Sequence, residues 1–503
     1  MKNLASTSTK VFSAIPIGYS GAIIEVEAVL SRGLPTFSLV GMANKTVFEA
    51  RERVRSAIAS SGLSFPSYKL TVNLAPAELA KDGVFLDLPI ALSVLAASGQ
   101  LKKADLVHRA FIGELSLDGR VRPVRGIINI AEAAKNAGFK EIFIPNDNLP
   151  QASLISGIAI FGVSSLQELF LHLKHQSPIT SSSSVVKNIK TVENPPFLDH
   201  IRGQDFAKRA LTVAIAGHHN ILISGPPGAG KTLLARAATN LLPPLTNQEA
   251  IAVTKLHSLS STTTAISISR PFRTPHHSSS LTSMVGGGAY AAPGEISLAH
   301  LGVLFLDELP EYPRSVLESL RQPLEDRTIS ISRADQKVIY PADFMLIATM
   351  NPCPCGYLGD STHECSCSLT EITRYQKKLS GPLLDRIDLR IAVSKVENAD
   401  LLSPASTTHS QHTVVKNNIK EAIRRQLHRQ QTYNANLTSH QVATTIKLTP
   451  ATKNLLQSAS DKLNLSARSY FKLIKVAQTI ADLANSPIIK ESHLAEALTY
   501  RLE

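Results

Sequence analysis

The chain has 503 residues, of which 43% are apolar and 18% are charged, and its formal net charge at pH 7 is +12. This balance excludes a disordered chain, and a chain of this length is expected to form two or three domains. The positive charge favours a polyanionic partner such as nucleic acid, although many basic proteins are merely kept soluble by their charge.

Nothing in the sequence indicates a membrane protein. No apolar run reaches the length of a membrane-spanning helix, and residues 1–21 lack the apolar core and the cleavage site of a signal peptide. We therefore expect a cytoplasmic protein without a membrane partner.

Residues 1–173 alternate strand-like and helix-like runs. Their apolar patterns predict strands at residues 23–30 and 142–145, and helices at residues 46–61 and 89–98. This section is therefore predicted to be an α/β domain.

A Ser- and Pro-rich segment, residues 174–196, is predicted to link this domain to a second α/β section, residues 197–394. Three runs of the second section are apolar almost throughout, as the central strands of a parallel sheet are: Ile221–Ser224, Val303–Leu306 and residues 344–349. Residues 395–503 begin with a polar stretch and continue with helical periodicity, which predicts a C-terminal helical lid domain.

A phosphate-binding motif follows the first of these strands and opens a predicted helix. The run Gly225-Pro226-Pro227-Gly228-Ala229-Gly230-Lys231-Thr232 fits the pattern G-x-x-x-x-G-K-[ST] at every position. Its backbone N–H groups are expected to surround the phosphates of ATP, while Lys231 reaches the β- and γ-phosphates and the Thr232 hydroxyl binds Mg²⁺. The sequence therefore predicts a Mg-ATP site rather than a chance glycine-rich turn.

Polar residues at the ends of the next two strands complete the predicted catalytic group. Asp307 and Glu308 directly follow Val303–Leu306, so Asp307 is expected beside Mg²⁺ and Glu308 where it polarises the attacking water. Asn351 follows the third strand, where its amide is expected to hold that water or to sense the γ-phosphate. An acidic pair or an Asn at a strand end is usually only a turn, but the order of the three motifs favours a hydrolytic site.

Two arginines are candidates for stabilising the transition state. Arg386 follows the third strand, where it is expected to act on the ATP of a neighbouring subunit. Arg468 begins a helix of the C-terminal domain and is expected to reach the γ-phosphate when the lid closes. Both assignments depend on position in the sequence, and an ordinary surface ion pair is the alternative for each.

The four cysteines of the chain, Cys353, Cys355, Cys365 and Cys367, form the pattern C-x-C-x9-C-x-C. Four thiolates on one loop suit tetrahedral Zn²⁺ in a reducing compartment, and His363 is an alternative ligand. The one-residue spacing differs from the usual C-x2-C pairs, so a loop of free thiols is the competing interpretation.

Residues 327–340 alternate like a β-hairpin and carry Arg333 and Lys337 near the predicted turn. Two basic residues at such a tip suit the phosphate backbone of DNA. A solvated hairpin tip is the alternative interpretation.

Taken in order, these motifs resemble AAA+ ATPases, and more narrowly the magnesium-chelatase-like YifB/ComM family. Besides the motifs already described, the matching stretches are residues 202–204, 270–277, 286–288, 293–300, 302–311, 351–356 and 468–483. The resemblance implies an AAA+ core with a parallel sheet, a homo-hexameric ring in which Arg386 acts in trans, and DNA as the working substrate. It also implies a helicase that promotes branch migration when DNA is integrated during natural transformation.

Residues 1–173 resemble the proteolytic domain of Lon-type proteases, at residues 81–83 and 111–123. A Ser-Lys protease of that kind needs a serine after the first run and a lysine near the later turn. Those positions fall near Phe85 and Ile128, which are apolar. We therefore expect a Lon-protease-like domain without peptidase activity, whose scaffold supports assembly or DNA contact.

Two functions remain open at this point. The first is a ring-forming DNA motor driven by ATP hydrolysis. The second is an ATPase like that of magnesium chelatase, which remodels a protein partner. An ATP-dependent protease is disfavoured because the serine and the lysine are replaced.

Overall fold

The computed structural model describes residues 8–41, 44–79, 81, 83–182, 197–262, 264–288, 291–332, 337–360, 363–395 and 410–501. Arg333 and residues 183–196 of the predicted linker lie outside these described residues. Within them, no helix combines the length and the apolar character needed to cross a membrane.

The four elements predicted for the N-terminal section are present, with ends shifted by no more than three residues. The strands of this section are β1 (Thr9–Ile17), β2 (Ser20–Ser31), β3 (Thr36–Val40), β4 (Lys69–Ala75), β5 (Arg109–Phe111), β6 (Glu114–Leu115), β7 (Val121–Arg122), β8 (Glu141–Pro145) and β9 (Ala159–Val163). Its α-helices are α1 (Asn44–Ser60), α2 (Asp87–Ala97), α3 (Ile127–Asn136), α4 (Leu149–Ala152) and α5 (Leu166–Leu173).

A mixed sheet in the order β3-β4-β2-β1-β5-β8-β9 forms the frame of this section. Strands β1, β2 and β4 pair antiparallel, whereas β1, β5, β8 and β9 pair in parallel. Helix α2 is buried along most of its length and packs on β1 and β2, because its sequence is apolar on every side. One hydrophobic core extends from Val11 to Leu173.

The two positions at which a Ser-Lys protease would carry its reactive groups belong to this core. Phe85 is 2% exposed and Ile128 is fully buried. Neither side chain can act as a nucleophile or a base, and both are packed among other apolar side chains. Burial therefore gives these residues a packing role.

The strands of the second section are β10 (Ile221–Ser224), β11 (Phe272–Arg273), β12 (Gly286–Gly287), β13 (Ala292–Pro293), β14 (Val303–Leu306), β15 (Thr328–Ser332), β16 (Lys337–Pro341), β17 (Met345–Met350) and β18 (Leu389–Ala392). Its α-helices are α6 (Asp205–Gly217), α7 (Lys231–Leu241), α8 (Asn247–Ser260), α9 (Leu281–Val285), α10 (Glu295–Leu298), α11 (Arg314–Ser319), α12 (Arg321–Asp326), α13 (Leu369–Gln376) and α14 (Gly381–Leu384). The C-terminal helices are α15 (Ser410–Gln430), α16 (Ser439–Thr445), α17 (Pro450–Lys462), α18 (Ala467–Leu483) and α19 (Glu491–Thr499).

An all-parallel sheet in the order β11-β14-β17-β10-β18 lies at the centre of the second section. Every residue of β14 and β17 is buried, as expected for strands that are covered on both faces. Because the strands are parallel, all their carboxyl ends lie along one edge, which we call the carboxyl edge. The phosphate-binding motif, Asp307 and Asn351 each follow one of these strands and therefore meet there.

The C-terminal helices share a hydrophobic core with this sheet. Ile419 of α15 and Ala477 of α18 belong to the same buried cluster as Ile221 of β10. His219, just before β10, has Nε2 2.8 Å from the Thr479 hydroxyl of α18. Helix α18 therefore contacts the sheet at its amino edge, opposite to the carboxyl edge.

Candidate functional site

The phosphate-binding loop, residues 225–230, connects the end of β10 to the start of α7. Gly228 and Gly230 have φ angles of +81° and +80°, a region that strains any residue with a Cβ. These turns curl the backbone in front of a helix N-terminus, where free N–H groups and the helix dipole favour an anion. The loop has the form that a nucleotide phosphate requires.

Lys231 lies inside this loop and also reaches the neighbouring strand. Its Nζ donates hydrogen bonds to the carbonyl oxygens of Gly225 and Pro226, and to Oδ1 of Asn351 at 2.9 Å. Burial lowers the pKa of Lys231, against the opposing effect of the nearby carboxylates of Asp307 and Glu308. The structure thus brings the predicted lysine and the predicted asparagine into one site.

Thr232 and Asp307, the two predicted Mg²⁺ ligands, are hydrogen-bonded to each other. Oγ1 of Thr232 donates to Oδ2 of Asp307 at 3.2 Å. A hydroxyl and a carboxylate in contact match the hard oxygen ligands that Mg²⁺ prefers. Asp307 also accepts a hydrogen bond from the hydroxyl of Thr349, which fixes its second carboxylate oxygen.

Glu308 turns away from the sheet towards solvent. Its φ angle of +52° lies in the left-handed region, and its side chain is exposed. The Thr349 hydroxyl accepts a hydrogen bond from the Glu308 N–H at 3.1 Å, which holds this turn. An exposed carboxylate beside a phosphate-binding loop is placed to polarise a water molecule.

Sequence reasoning missed two residues that support this site. One is Thr349. A polar residue within the apolar strand β17 was the feature of the sequence that could have identified it. Gln204 donates from Nε2 to the carbonyl oxygens of Ala229 at 3.3 Å and Ser394 at 2.6 Å, and so joins the loop to the end of β18. In the sequence, Gln204 was noted only as part of residues 202–204, one of the stretches that resemble the family.

Arg386 and Arg468 lie together, each forming an ion pair with Glu325. Arg386 also donates to the carbonyl oxygens of Arg321 at 3.0 Å and Pro382 at 2.7 Å. Burial opposes ionisation of Glu325, but the two guanidinium groups lower its pKa overall. The two candidate transition-state arginines therefore share one carboxylate.

The arginine pair lies at the amino edge of the sheet. Asn220, which directly precedes β10, donates from Nδ2 to the carbonyl oxygen of Arg386 at 3.1 Å. Both arginines line a cavity of about 440 Å³, together with Lys472 and Lys475. The structure thus places Arg468 away from the phosphate-binding loop of its own chain, because α18 is packed against the amino edge.

The four cysteine sulfurs form one group, with all Sγ atoms within 4.8 Å of one another. His363 is not a member of this group; its ring stacks on Tyr357, with ring centroids 4.9 Å apart.

The predicted hairpin is present as β15 and β16, which pair antiparallel from Thr328 with Pro341 to Ser332 with Lys337. Lys337 is exposed at the end of this ladder.

Family models of a magnesium chelatase subunit match along the chain. "Subunit ChlI of Mg-chelatase" matches residues 26–148, and "Magnesium chelatase, subunit ChlI" matches residues 197–401. "Magnesium chelatase, subunit ChlI C-terminal" matches residues 409–501. The matches therefore extend through all three predicted sections.

Similar proteins align over almost the whole chain. Competence protein ComM of Haemophilus influenzae is 43% identical over 497 residues, which cover 98% of this chain and 97% of that protein. YifB of Escherichia coli is 42% identical over 498 residues, which cover 98% of this chain and 96% of that protein. A Lon protease of Chloroflexus aurantiacus is 32% identical over 142 residues, 27% of this chain and 17% of that protein. The chain therefore belongs to the magnesium-chelatase-like YifB/ComM family.

Proposed function

We propose that the chain is a Mg²⁺-dependent ATPase of the AAA+ class that works on DNA as a hexameric ring. One observation carries the ATPase part of this proposal. The carboxyl edge of the parallel sheet gathers a phosphate-binding loop, a hydroxyl–carboxylate pair, an exposed carboxylate and an amide: Lys231, Thr232, Asp307, Glu308 and Asn351.

Each of these residues has a role in the proposed hydrolysis. Lys231 exchanges its bonds to loop carbonyls for the β- and γ-phosphate oxygens of ATP. Thr232 and Asp307 would hold Mg²⁺, which would supply positive charge to offset the negative charge of the phosphates. Glu308 accepts a hydrogen bond from the attacking water and orients it towards the γ-phosphorus, while Asn351 fixes the γ-phosphate. The water oxygen forms a bond to the γ-phosphorus as the bond from the γ-phosphorus to the bridging β-oxygen breaks, the proton of the water passes to the phosphate product, and ADP and inorganic phosphate leave.

The position of the arginine pair supports a ring. Strand β10 has four residues, which at about 3.3 Å per residue separate the two edges of the sheet by about 13 Å. This distance exceeds the reach of an arginine side chain, so Arg386 and Arg468 serve the ATP of another subunit. We propose that both act in trans, which changes the role expected for Arg468 from that of a lid arginine of its own site.

We also propose the domain division: an N-terminal Lon-protease-like domain without peptidase activity at residues 1–173, a linker at 174–196, the AAA+ core at 197–394 and a helical domain at 395–503. Separate hydrophobic cores support the first boundary. The apolar residues at the protease positions support the lack of peptidase activity, and casein is expected to remain intact with ATP present.

DNA is the proposed substrate for three reasons. The chain carries a net charge of +12, Lys337 is exposed at the end of a hairpin, and a relative of nearly equal length is named a competence protein. We propose branch migration during natural transformation as the setting.

The family description as a magnesium chelatase subunit favours the second candidate, an ATPase that remodels a protein partner.

Steady-state ATP hydrolysis by the purified chain, with and without single-stranded, duplex and four-way-junction DNA, tests this proposal. Glu308→Gln is expected to remove hydrolysis, and Glu421→Gln is the matched control because Glu421 is a half-exposed helix residue paired with Arg424. Stimulation by DNA that Glu308→Gln abolishes supports the DNA motor. Hydrolysis that is indifferent to every DNA supports the protein-remodelling candidate, and no hydrolysis refutes the ATPase.

A further inference from the structure

The cysteine group lies directly after Asn351 and has the dimensions of a metal site. Sγ of Cys353 is 3.4 Å from Sγ of Cys355 and 3.6 Å from Sγ of Cys365, and the Cys355–Cys365 distance is also 3.6 Å. A tetrahedron with Zn–S bonds of about 2.3 Å has edges of about 3.8 Å. These separations are far longer than a disulfide bond of about 2.0 Å.

The backbone around the sulfurs has the geometry of a metal-ligand site. The N–H groups of Cys355 and Leu358 point at Sγ of Cys367 and Sγ of Cys353, each at 3.4 Å. Hydrogen bonds of this kind stabilise negative charge on sulfur and orient a metal ligand. Cys353 is fully buried, and the other three cysteines are half-buried. Four sulfurs this close together can all ionise only when a cation lies between them, because the thiolates would otherwise repel one another.

We propose that Cys353, Cys355, Cys365 and Cys367 bind one Zn²⁺ ion, as a closed structural site. Four thiolate ligands leave no open position for a substrate, which distinguishes a structural from a catalytic zinc. The two C-x-C pairs enter from opposite ends of the loop. The metal therefore closes residues 353–367 into one unit.

This closed loop forms part of the wall of the nucleotide site. Gly356, with φ of +87°, lies so close to the phosphate-binding loop that a Cβ there would be 2.9 Å from Cδ of Pro227. Farther along, Asp360 forms an ion pair with Lys395 at 2.6 Å. Lys395 follows Ser394, the residue to which Gln204 is bound. The zinc loop thus braces Asn351, the phosphate-binding loop and the end of β18.

Metal analysis of the full chain tests the site without using enzyme activity. The chain purified without chelator is expected to contain about one zinc and no iron. The double change Cys365→Ser with Cys367→Ser is expected to lower the zinc content at least about tenfold. Ser366→Ala, between these two cysteines, and His363→Ala are matched controls that should keep the metal.

A second measurement covers the case in which the double variant fails to fold. Wild-type chain exchanged with Co²⁺ should show the thiolate charge-transfer and d–d absorption of tetrahedral cobalt. Because all four cysteines of the chain lie in this loop, the thiolate absorption reports on this site alone. Wild-type protein with four freely reactive thiols, with disulfides, or with iron would overturn the proposal. Loss of zinc in His363→Ala would overturn the four-cysteine ligand set.

The bracing role rests on the proposed ATP site and has its own readout. Removal of zinc is expected to weaken the binding of a fluorescent ATP analogue about tenfold, within the usual range of coupling between two sites. Unchanged binding after removal would refute the bracing role and leave the zinc site standing. If the intact zinc protein binds no nucleotide at all, the proposed function fails while the metal analysis still holds.

Discussion

Two inactive variants are expected to restore each other's ATP hydrolysis when they are mixed. Glu308→Gln lacks the carboxylate that is proposed to orient water but keeps Arg386, whereas Arg386→Ala keeps Glu308 and lacks the guanidinium. Alone, Arg386→Ala should lose about 10³-fold in turnover, the lower end for an arginine finger. Glu308→Gln should lose about 10²–10⁴-fold, the contribution of a general base.

The recovery of ATP hydrolysis is expected because Glu308 and Arg386 lie at opposite edges of the sheet. In the proposed ring, a complete site needs Glu308 from one subunit and Arg386 from the next. In a ring built at random from equal amounts of the two variants, each requirement is met half of the time, so about one quarter of the sites are complete. If Arg386 served its own subunit, every subunit would lack one group and the mixture would stay inactive.

Co-expression with two different tags, followed by purification on both, selects mixed rings for this assay. Turnover at saturating ATP is then compared with that of each variant alone. Arg424→Ala is the control for loss of an arginine, because its side chain is 75% exposed on α15. Verified mixed rings that hydrolyse ATP no faster than the single variants, or an Arg386→Ala protein with wild-type turnover, would refute the trans arrangement.

Three further changes have defined outcomes. Arg468→Ala should also be rescued in mixed rings by Glu308→Gln, because it lies beside Arg386; absence of rescue in the turnover assay would place it in its own site. Lys337→Ala should weaken DNA binding about equally for all sequences and lower the slope of log affinity against log salt by about one; an unchanged slope in fluorescence anisotropy would contradict a phosphate contact. Burial lowers the pKa of His300 to about 4, from the unfolded value of 6.5. The contribution of His300 to the free energy of unfolding is therefore complete above pH 6.5. It falls by about 3 kcal/mol as the pH decreases from 6.5 towards 4. His300→Gln should therefore flatten the pH dependence of thermal unfolding in this window, and parallel curves for variant and wild type would exclude His300 as the cause.

The carboxyl edge of the parallel sheet was predictable because each of its motifs is local. An apolar strand fixes where each polar residue emerges, so Ile221–Ser224 and Val303–Leu306 match the observed strands at both ends. The parallel arrangement then brings Lys231 and Asn351 together without further information. The cysteine pattern likewise predicted that the four cysteines lie together on one loop, although it could not predict the distances between their sulfurs.

The placement of Arg468 was not predictable from local patterns. It depends on where α18 packs, and the contacts that hold α18 include a buried one between His219 and Thr479, which are 260 positions apart. Glu325, which binds both candidate arginines, follows no motif in the sequence. Such residues become recognisable only when distant segments have been brought together.

The shared core of the parallel sheet and the C-terminal helices has a consequence for biosynthesis. The partners of β10 in this core include α18, which leaves the ribosome about 260 residues later. At about 5–20 residues per second, this delay lasts roughly 13 to 52 seconds, during which the amino edge of the sheet and the neighbouring helix α6 lack their contact with α18. The nascent chain is therefore most exposed to aggregation just before translation ends, and any truncation before α18 leaves this part of the core without its partner.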